Sequence, residues 1–217
     1  PAFEGNSFKV SENAVYTVYA RDDAGNEAVA SIQVKNIDKI KPEIGLSMNP
    51  TEVTSQDVTV TADITDDLSG IEEKRWEVGH RDTSYFKAGG GNVIQGNWFV
   101  IEQNGSYSVY ARDKAGNETV KTFEIENIDK SPLVIFLAPD PNTWTNKDVT
   151  VDIIVNASKE GMIETVKYAK DDRDMAFFQT GGTTLNSLSF NVTNNGVYTA
   201  YVKDKGGNEA VQTIEIS

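Results

Sequence analysis

One stretch of this chain is written three times at a fixed interval. It reads NAVYTVYARDDAGNE from Asn13 to Glu27, NGSYSVYARDKAGNE from Asn104 to Glu118 and NGVYTAYVKDKGGNE from Asn195 to Glu209. Asp22, Asp113 and Asp204 are each 91 residues apart. A strict period of this length is the signature of an array of like domains, each one a unit with its own core. A second shared run marks the joints: Asn36-Ile37-Asp38-Lys39, with Pro42 after it, recurs as Asn127-Ile128-Asp129-Lys130, with Pro132 after it. A strand that ends in a short polar run and a proline reads as a domain junction. These junctions divide the chain into residues 1–38, the C-terminal part of a domain, and two complete domains at 39–130 and 131–217. Chains below roughly 40 residues rarely bury enough surface to fold alone, so the first piece is expected to be the back half of a larger domain and the chain an excerpt.

Within each period the apolar residues alternate. Val58, Val60, Ala62 and Ile64 interleave with Thr59, Thr61 and Asp63, and the same opening returns at Val149 to Val155. Period-two alternation over such short runs indicates half-buried strands. Asn, Gly and Asp break the runs every 8 to 12 residues, which gives about seven short strands per period, the pattern of an immunoglobulin-like Greek-key sandwich. No helical segment separates the strands, so parallel α/β architectures are excluded.

The repeated stretch then acquires structural roles. Tyr107, Val109 and Ala111 share one face of a strand and are expected to point inward, with Ser108, Tyr110 and Arg112 outward. Tyr107 follows an Asn-Gly corner, where sandwiches place a tyrosine whose hydroxyl ties back to the backbone. Asp113 to Asn117 is a tight hairpin in which Gly116 supplies a positive φ. Val29, Val120 and Val211 fall out of phase with the inward residues of the last strand, which predicts a β-bulge just after each hairpin.

The Tyr-x-x-Tyr-Ala-Arg-Asp-x-Ala-Gly-Asn run, with the Trp144 to Val151 opening, resembles the tandem bacterial Ig-like repeats of Gram-positive surface and secreted proteins, and its hairpin is similar to the hyalin-type repeat. The resemblance covers nearly the whole chain. It implies non-catalytic stalk, spacer or interaction modules of adhesin or surface-layer type, located outside the cell or on its surface. The alternative it leaves open is accessory domains that bind carbohydrate or protein in a large secreted enzyme. Val53 stands where Trp144 would be, so that tryptophan is not essential to the design.

Composition narrows the function classes. The net charge of −13 removes the basic face that nucleic-acid binding requires. There is no cysteine, hence no disulfide framework and no thiolate zinc site. No apolar run approaches the roughly 20 residues of a membrane span. His80 is the single histidine and lies in a polar loop, and the carboxylates recur with the structural repeat; no Ser-His-Asp or Cys-His set is assembled from these residues, and no enzyme is expected. The expected partners are neighbouring Ig-like domains of the same chain and a cell-wall or host glycan or protein.

Two candidate sites remain. In a sandwich the incoming linker, the loop between the second and third strands and the last hairpin meet at one end. For the middle domain this gathers Asp38, Asp63, Asp66, Asp67, Asp113 and Asn117, with Asn36 nearby. Calcium takes six to eight hard oxygens, so calcium at the first junction is the one cofactor expected. Against it stands the ordinary role of Asp and Asn as turn formers. The second candidate is sugar stacking on Tyr19, Tyr110 and Tyr201, with Trp98 and Trp144 near turns, against cross-strand pairing as their plain role.

Overall fold

The structure is a computed structural model that describes residues 5–156 and 161–217. The first copy of the repeated stretch forms a hairpin of β1 (Ala14–Arg21) and β2 (Glu27–Val34). The middle repeat carries β3 (Glu43–Asn49), β4 (Val58–Thr65), β5 (Ile71–Val78), α1 (Thr83–Lys87), β6 (Asn92–Val93), β7 (Trp98–Ile101), β8 (Gly105–Asp113) and β9 (Glu118–Ile125). The third carries β10 (Ile135–Asp140), β11 (Val149–Val155), β12 (Ile163–Lys170), α2 (Met175–Phe178), β13 (Thr183–Leu185), β14 (Ser189–Val192), β15 (Gly196–Asp204) and β16 (Glu209–Ile216). Each complete repeat holds a three-stranded and a four-stranded sheet, ordered β3-β4-β7 and β6-β5-β8-β9, then β10-β11-β14 and β13-β12-β15-β16. The non-consecutive neighbours are the Greek-key crossings of an Ig-like sandwich.

The chain forms two compact units. One takes the chain up to Ser47, Thr61–Phe99 and Gly105–Glu124; the other takes Met48–Val60, Val100–Asn104 and the described residues of Ile125–Ser217. In the second unit the core lies between the two sheets of the third repeat. Ile135, Val149, Val151, Ile153, Phe190 and Val192 meet Val166, Tyr198, Ala200 and Val202, all nearly free of solvent. Removing such apolar surface from water is worth about 25 cal/mol per Å². In β11 the buried residues are alternate ones, Val149, Val151 and Ile153, as the sequence pattern requires. Tyr168 stacks on Phe190 with ring centroids 4.5 Å apart. In the first unit its counterpart Trp76 stacks on Phe99 at 4.7 Å and lies against Tyr107.

The tyrosine corners are present in the first and third copies. The Tyr16 hydroxyl donates to the carbonyl of Glu12 at 2.8 Å and the Tyr198 hydroxyl to that of Asn194 at 2.7 Å. Gly25, Gly116 and Gly207 have φ of 89°, 91° and 87°, which lets the hairpin close with the Gly116 amide on the Asp113 carbonyl.

Two expectations are corrected. The strands after the hairpins carry no bulge in the first and third copies: β1 and β2 run in unbroken register from Ala14↔Val34 to Arg21↔Glu27, and β15 with β16 from Gly196↔Ile216 to Lys203↔Glu209. The irregularities fall between Ile71 and Glu73 and between Ile163 and Thr165 instead. Val29 and Val211 are out of phase because they pair with Tyr19 and Tyr201 on the outer face, and that face is itself apolar.

The second correction concerns that outer face. Tyr110 is fully buried and Tyr201 nearly so, as are Ser108 and Thr199 beside them. α1 and α2 lie over them: Phe86 stacks on Tyr110 with centroids 4.9 Å apart, and Phe178 on Tyr201 at 5.2 Å. Each helix is a single turn, started by Asp82 accepting the Tyr85 amide or Asp174 accepting the Phe177 amide, both at 3.0 Å. The buried hydroxyls hold the approach, since Ser108 Oγ donates to the Gly79 carbonyl and Thr199 Oγ1 to that of Asp171. The four-stranded sheet therefore has a core on both faces.

Candidate metal centre and linker contacts

The linker after β2, the loop after β4 and the β8–β9 hairpin bring Asp38, Asp66 and Asp113 together, with one oxygen of each within 4.8 Å of the others. Asp63 and Asp67 do not join this group; both are exposed, Asp63 within β4 and Asp67 in the loop that follows. Asn117 joins through its amide group, which donates to Asp113 Oδ2 at 2.7 Å and to the carbonyl of Asp38 at 3.2 Å.

Each carboxylate already closes a turn. Asp66 Oδ2 accepts the amides of Leu68 and Gly70 at 3.2 and 2.8 Å and the Ser69 hydroxyl at 3.4 Å. Asp113, fully buried, accepts the Asn117 amide at 2.8 Å. Asp38 accepts the Ile40 amide at 2.9 Å and the Ser69 amide at 3.0 Å. Hydrogen bonds from Ser69 and then from the Ile40 amide hold the Asp38 carboxyl below the ordinary carboxylate range, so it stays ionised at neutral pH. Asp66 Oδ1 is left out of these turns; it is buried and has no hydrogen-bond partner among the described residues. A buried carboxylate oxygen without a donor faces a desolvation cost that a cation would remove.

The corresponding site in the third repeat differs. Asp129, Asp204 and Asn208 keep the pattern, with Asn208 donating to Asp204 and to the carbonyl of Asp129 at 3.0 Å. The loop expected to replace Asp66 includes Ser158, Lys159 and Glu160, which lie outside the described residues.

The junctions also contain a contact that the sequence reading missed. Asn13 Nδ2 donates to the Ile37 carbonyl at 2.8 Å while its Oδ1 accepts the Ile37 amide at 2.9 Å. Asn104 does the same to Ile128 at 2.8 and 2.9 Å. Lys39 then reaches the carbonyl of Ser11 at 2.7 Å, and Lys130 that of Glu102 at 2.9 Å. The signal was available: both asparagines precede their isoleucine by 24 residues.

The aromatic candidates are dispersed. Tyr110 and Tyr201 lie under the helices and offer no ring to a sugar. Burial, and then the hydrogen bond to Glu118 or Glu209, pushes both phenols far above their ordinary range. Tyr19 remains 55% exposed, Trp98 56% and Trp144 91%.

No protein-family model matches the sequence, and no curated protein does. Among solved structures the chain is similar to the three N-terminal domains of the highly immunogenic outer capsid protein Hoc of bacteriophage RB49, at 15% identity and a TM-score of 0.43, over 81% of this chain and 58% of that one. It is similar to Sidekick-1 immunoglobulin domains 1–5 at 9% identity and a TM-score of 0.35, over 94% of this chain and 45% of that one. A third likeness is to SGBP-B of the Bacteroides ovatus mixed-linkage glucan utilization locus, in complex with a heptasaccharide, at 12% identity and a TM-score of 0.21, over 94% of this chain and 53% of that one. The chain thus spans about half the length of these structures. Its Ig-like architecture rests on the sheets, cores and corners described above.

Proposed function

We propose that this chain is a non-catalytic array of Ig-like domains that acts as a spacer or interaction module of a bacterial cell-surface or secreted protein, of the adhesin or surface-layer type found in Gram-positive organisms. The observation that supports it is the linker contact made twice, at Ile37 by Asn13 and at Ile128 by Asn104. A loose tether needs no such side chain; a module that transmits position from one domain to the next does. The reading is tested by ¹⁵N relaxation of the 217-residue chain. Residues of the middle and third repeats should share one rotational correlation time, and independent tumbling would sink the proposal.

For the first junction the proposal includes calcium held by Asp38, Asp66 and Asp113. The unpartnered Asp66 Oδ1 supports it, because a hard cation is satisfied by carboxylate oxygens of this kind. Calcium there would tie linker, loop and hairpin into one body. Thermal melting with added calcium and with chelator tests it: the melting temperature should rise with calcium, and Asp66→Asn should remove the rise. Equal melting in both solutions counts against the site.

A further inference from the structure

The end of the middle repeat holds the linker that follows it and the hairpin of the next domain. The amide of Thr54 donates to the Asn127 carbonyl at 2.8 Å, the Thr54 carbonyl accepts the Asp129 amide at 2.7 Å, and the two segments form a parallel bridge at Thr54 and Ile128. Asn127 Nδ2 donates to the carbonyls of Pro50 and Glu52 at 3.0 and 2.9 Å. The Ser55 amide donates to the Gly206 carbonyl in the third repeat's hairpin at 2.7 Å. Val53 sits over that glycine, where an added Cβ would lie 3.5 Å from Val53 Cγ1. As a result Thr54 is 7% exposed and Val53 39%.

The third repeat builds the same end face. Pro141, Trp144, Thr145, Asp148 and Asn195 stand 91 residues beyond Pro50, Val53, Thr54, Asp57 and Asn104. They line an open cleft of about 700 Å³ together with Ser217. The local turn is also the same: Thr145 Oγ1 accepts the Lys147 amide at 3.1 Å, as Thr54 Oγ1 accepts that of Gln56 at 3.0 Å. Here, however, Thr145 is exposed, Trp144 is 91% exposed, and the Asn195 side chain makes no hydrogen bond among the described residues. An exposed indole set beside the exposed Thr145 and Asn195 has the composition of a binding hot spot, with one apolar surface and polar groups around it.

We propose that this face is the docking site for a further Ig-like repeat, entering through an Asn-Ile-Asp-Lys linker. The linker backbone pairs with Thr145 and is held by Asn195, and the Gly-containing hairpin of that repeat lies under Trp144. Continuity with the face that Thr54 and Asn104 build identifies the occupant. The proposal rests on the array reading above and adds which surface continues it.

The test compares the 217-residue chain with the same chain extended after Ser217 by a second copy of residues 127–217. Amide exchange at Thr145 should slow at least about tenfold in the extended chain, the scale of one net hydrogen bond, approaching the protection of Thr54. Trp144 fluorescence should shift to the blue, with Trp144→Phe removing the shifted component. Asn195→Ala should return Thr145 to the exchange rate of the shorter chain, and the exposed position of Asn195 leaves the third repeat folded in that variant. Unchanged Thr145 exchange in the extended chain overturns the proposal. So does protection that appears in the shorter chain and grows with its concentration, since the face would then hold a second copy. Because Thr54 and Ile128 are read in the same experiment, failure at Thr145 with Thr54 still protected rejects this face alone. Loss of protection at both rejects the array reading.

Discussion

Asn104 holds both backbone groups of Ile128, accepting its amide at 2.9 Å and donating to its carbonyl at 2.8 Å. One side chain therefore does for the linker what a neighbouring strand does inside a sheet. Replacing it with alanine leaves two backbone groups without their partner, and a partly buried hydrogen bond contributes about 0.5–1.5 kcal/mol. Asn104→Ala should lower the unfolding free energy by about 1–2 kcal/mol on that scale and speed exchange of the Ile128 amide. Asn13→Ala should do the same at Ile37. Denaturant titration with residue-resolved hydrogen exchange checks both.

Much of this was legible in the sequence. The period gave the tyrosine corners at Tyr16 and Tyr198, and alternation along Val149 to Ile153 gave the inward face. What alternation could not show is that the opposite face is covered as well. α1 and α2 span only 5 and 4 residues, too short for a helical period to emerge. Their anchors, Phe86 and Phe178, are recognised only through the rings they stack upon. The same hidden layer made Val211 look like a register error when it is an outer-face partner of Tyr201. For the metal centre, loop composition pointed to the acidic residues, but the fold alone separates Asp66 from Asp63 and Asp67.

The second layer can be removed in one step. Phe86 is 2% exposed and lies flat against Tyr110, so Phe86→Ala should cost about 3–5 kcal/mol, the range for a buried phenylalanine. It should also bring the Tyr110 phenol down toward the ordinary tyrosine value near 10, because burial is the largest cause of its elevation. Ultraviolet titration of the folded variant should show one more tyrosine ionising in that range than the parent shows.

The carboxylates and phenols predict opposite limbs of the pH profile. Hydrogen bonds hold Asp22 and Asp38 below their unfolded value of 3.8. For Glu118 burial pushes upward, but Lys87 and Tyr110 outweigh it and hold it below 4.5. Groups depressed in the folded state stabilise it above the unfolded value, and that contribution is lost as pH falls through the folded value. Tyr110 and Tyr201 are raised above 10.0, so their contribution is complete below that pH and is lost as pH rises toward the folded value. Melting temperature should therefore be flat from about pH 5 to 9, given ordinary values near 4 for carboxyls and 10 for phenols, and fall on both sides. Phe86→Ala should flatten the alkaline limb and leave the acid limb in place.

Two glycines with the same backbone angle separate strain from packing. Gly116 in the β8–β9 hairpin has φ of 91°, and an added Cβ there would meet nothing within 4 Å. Gly91 has φ of 83°, but its Cβ would fall 2.8 Å from Phe86 Cε1 and 3.0 Å from the Trp76 carbonyl oxygen. Gly116→Ala therefore carries only the left-handed penalty of an L residue, about 1–2 kcal/mol. Gly91→Ala carries that penalty and must also displace the ring that seals Tyr110, adding about 1–3 kcal/mol of overpacking. Because the Trp76 carbonyl is backbone and cannot swing away, the displacement falls on Phe86. Gly91→Ala should thus lower the Tyr110 phenol toward its ordinary range as Phe86→Ala does, whereas Gly116→Ala should leave that titration unchanged. Equal stability losses in the two glycine variants, with the titration unmoved in both, would show that α1 does not depend on the close approach at Gly91.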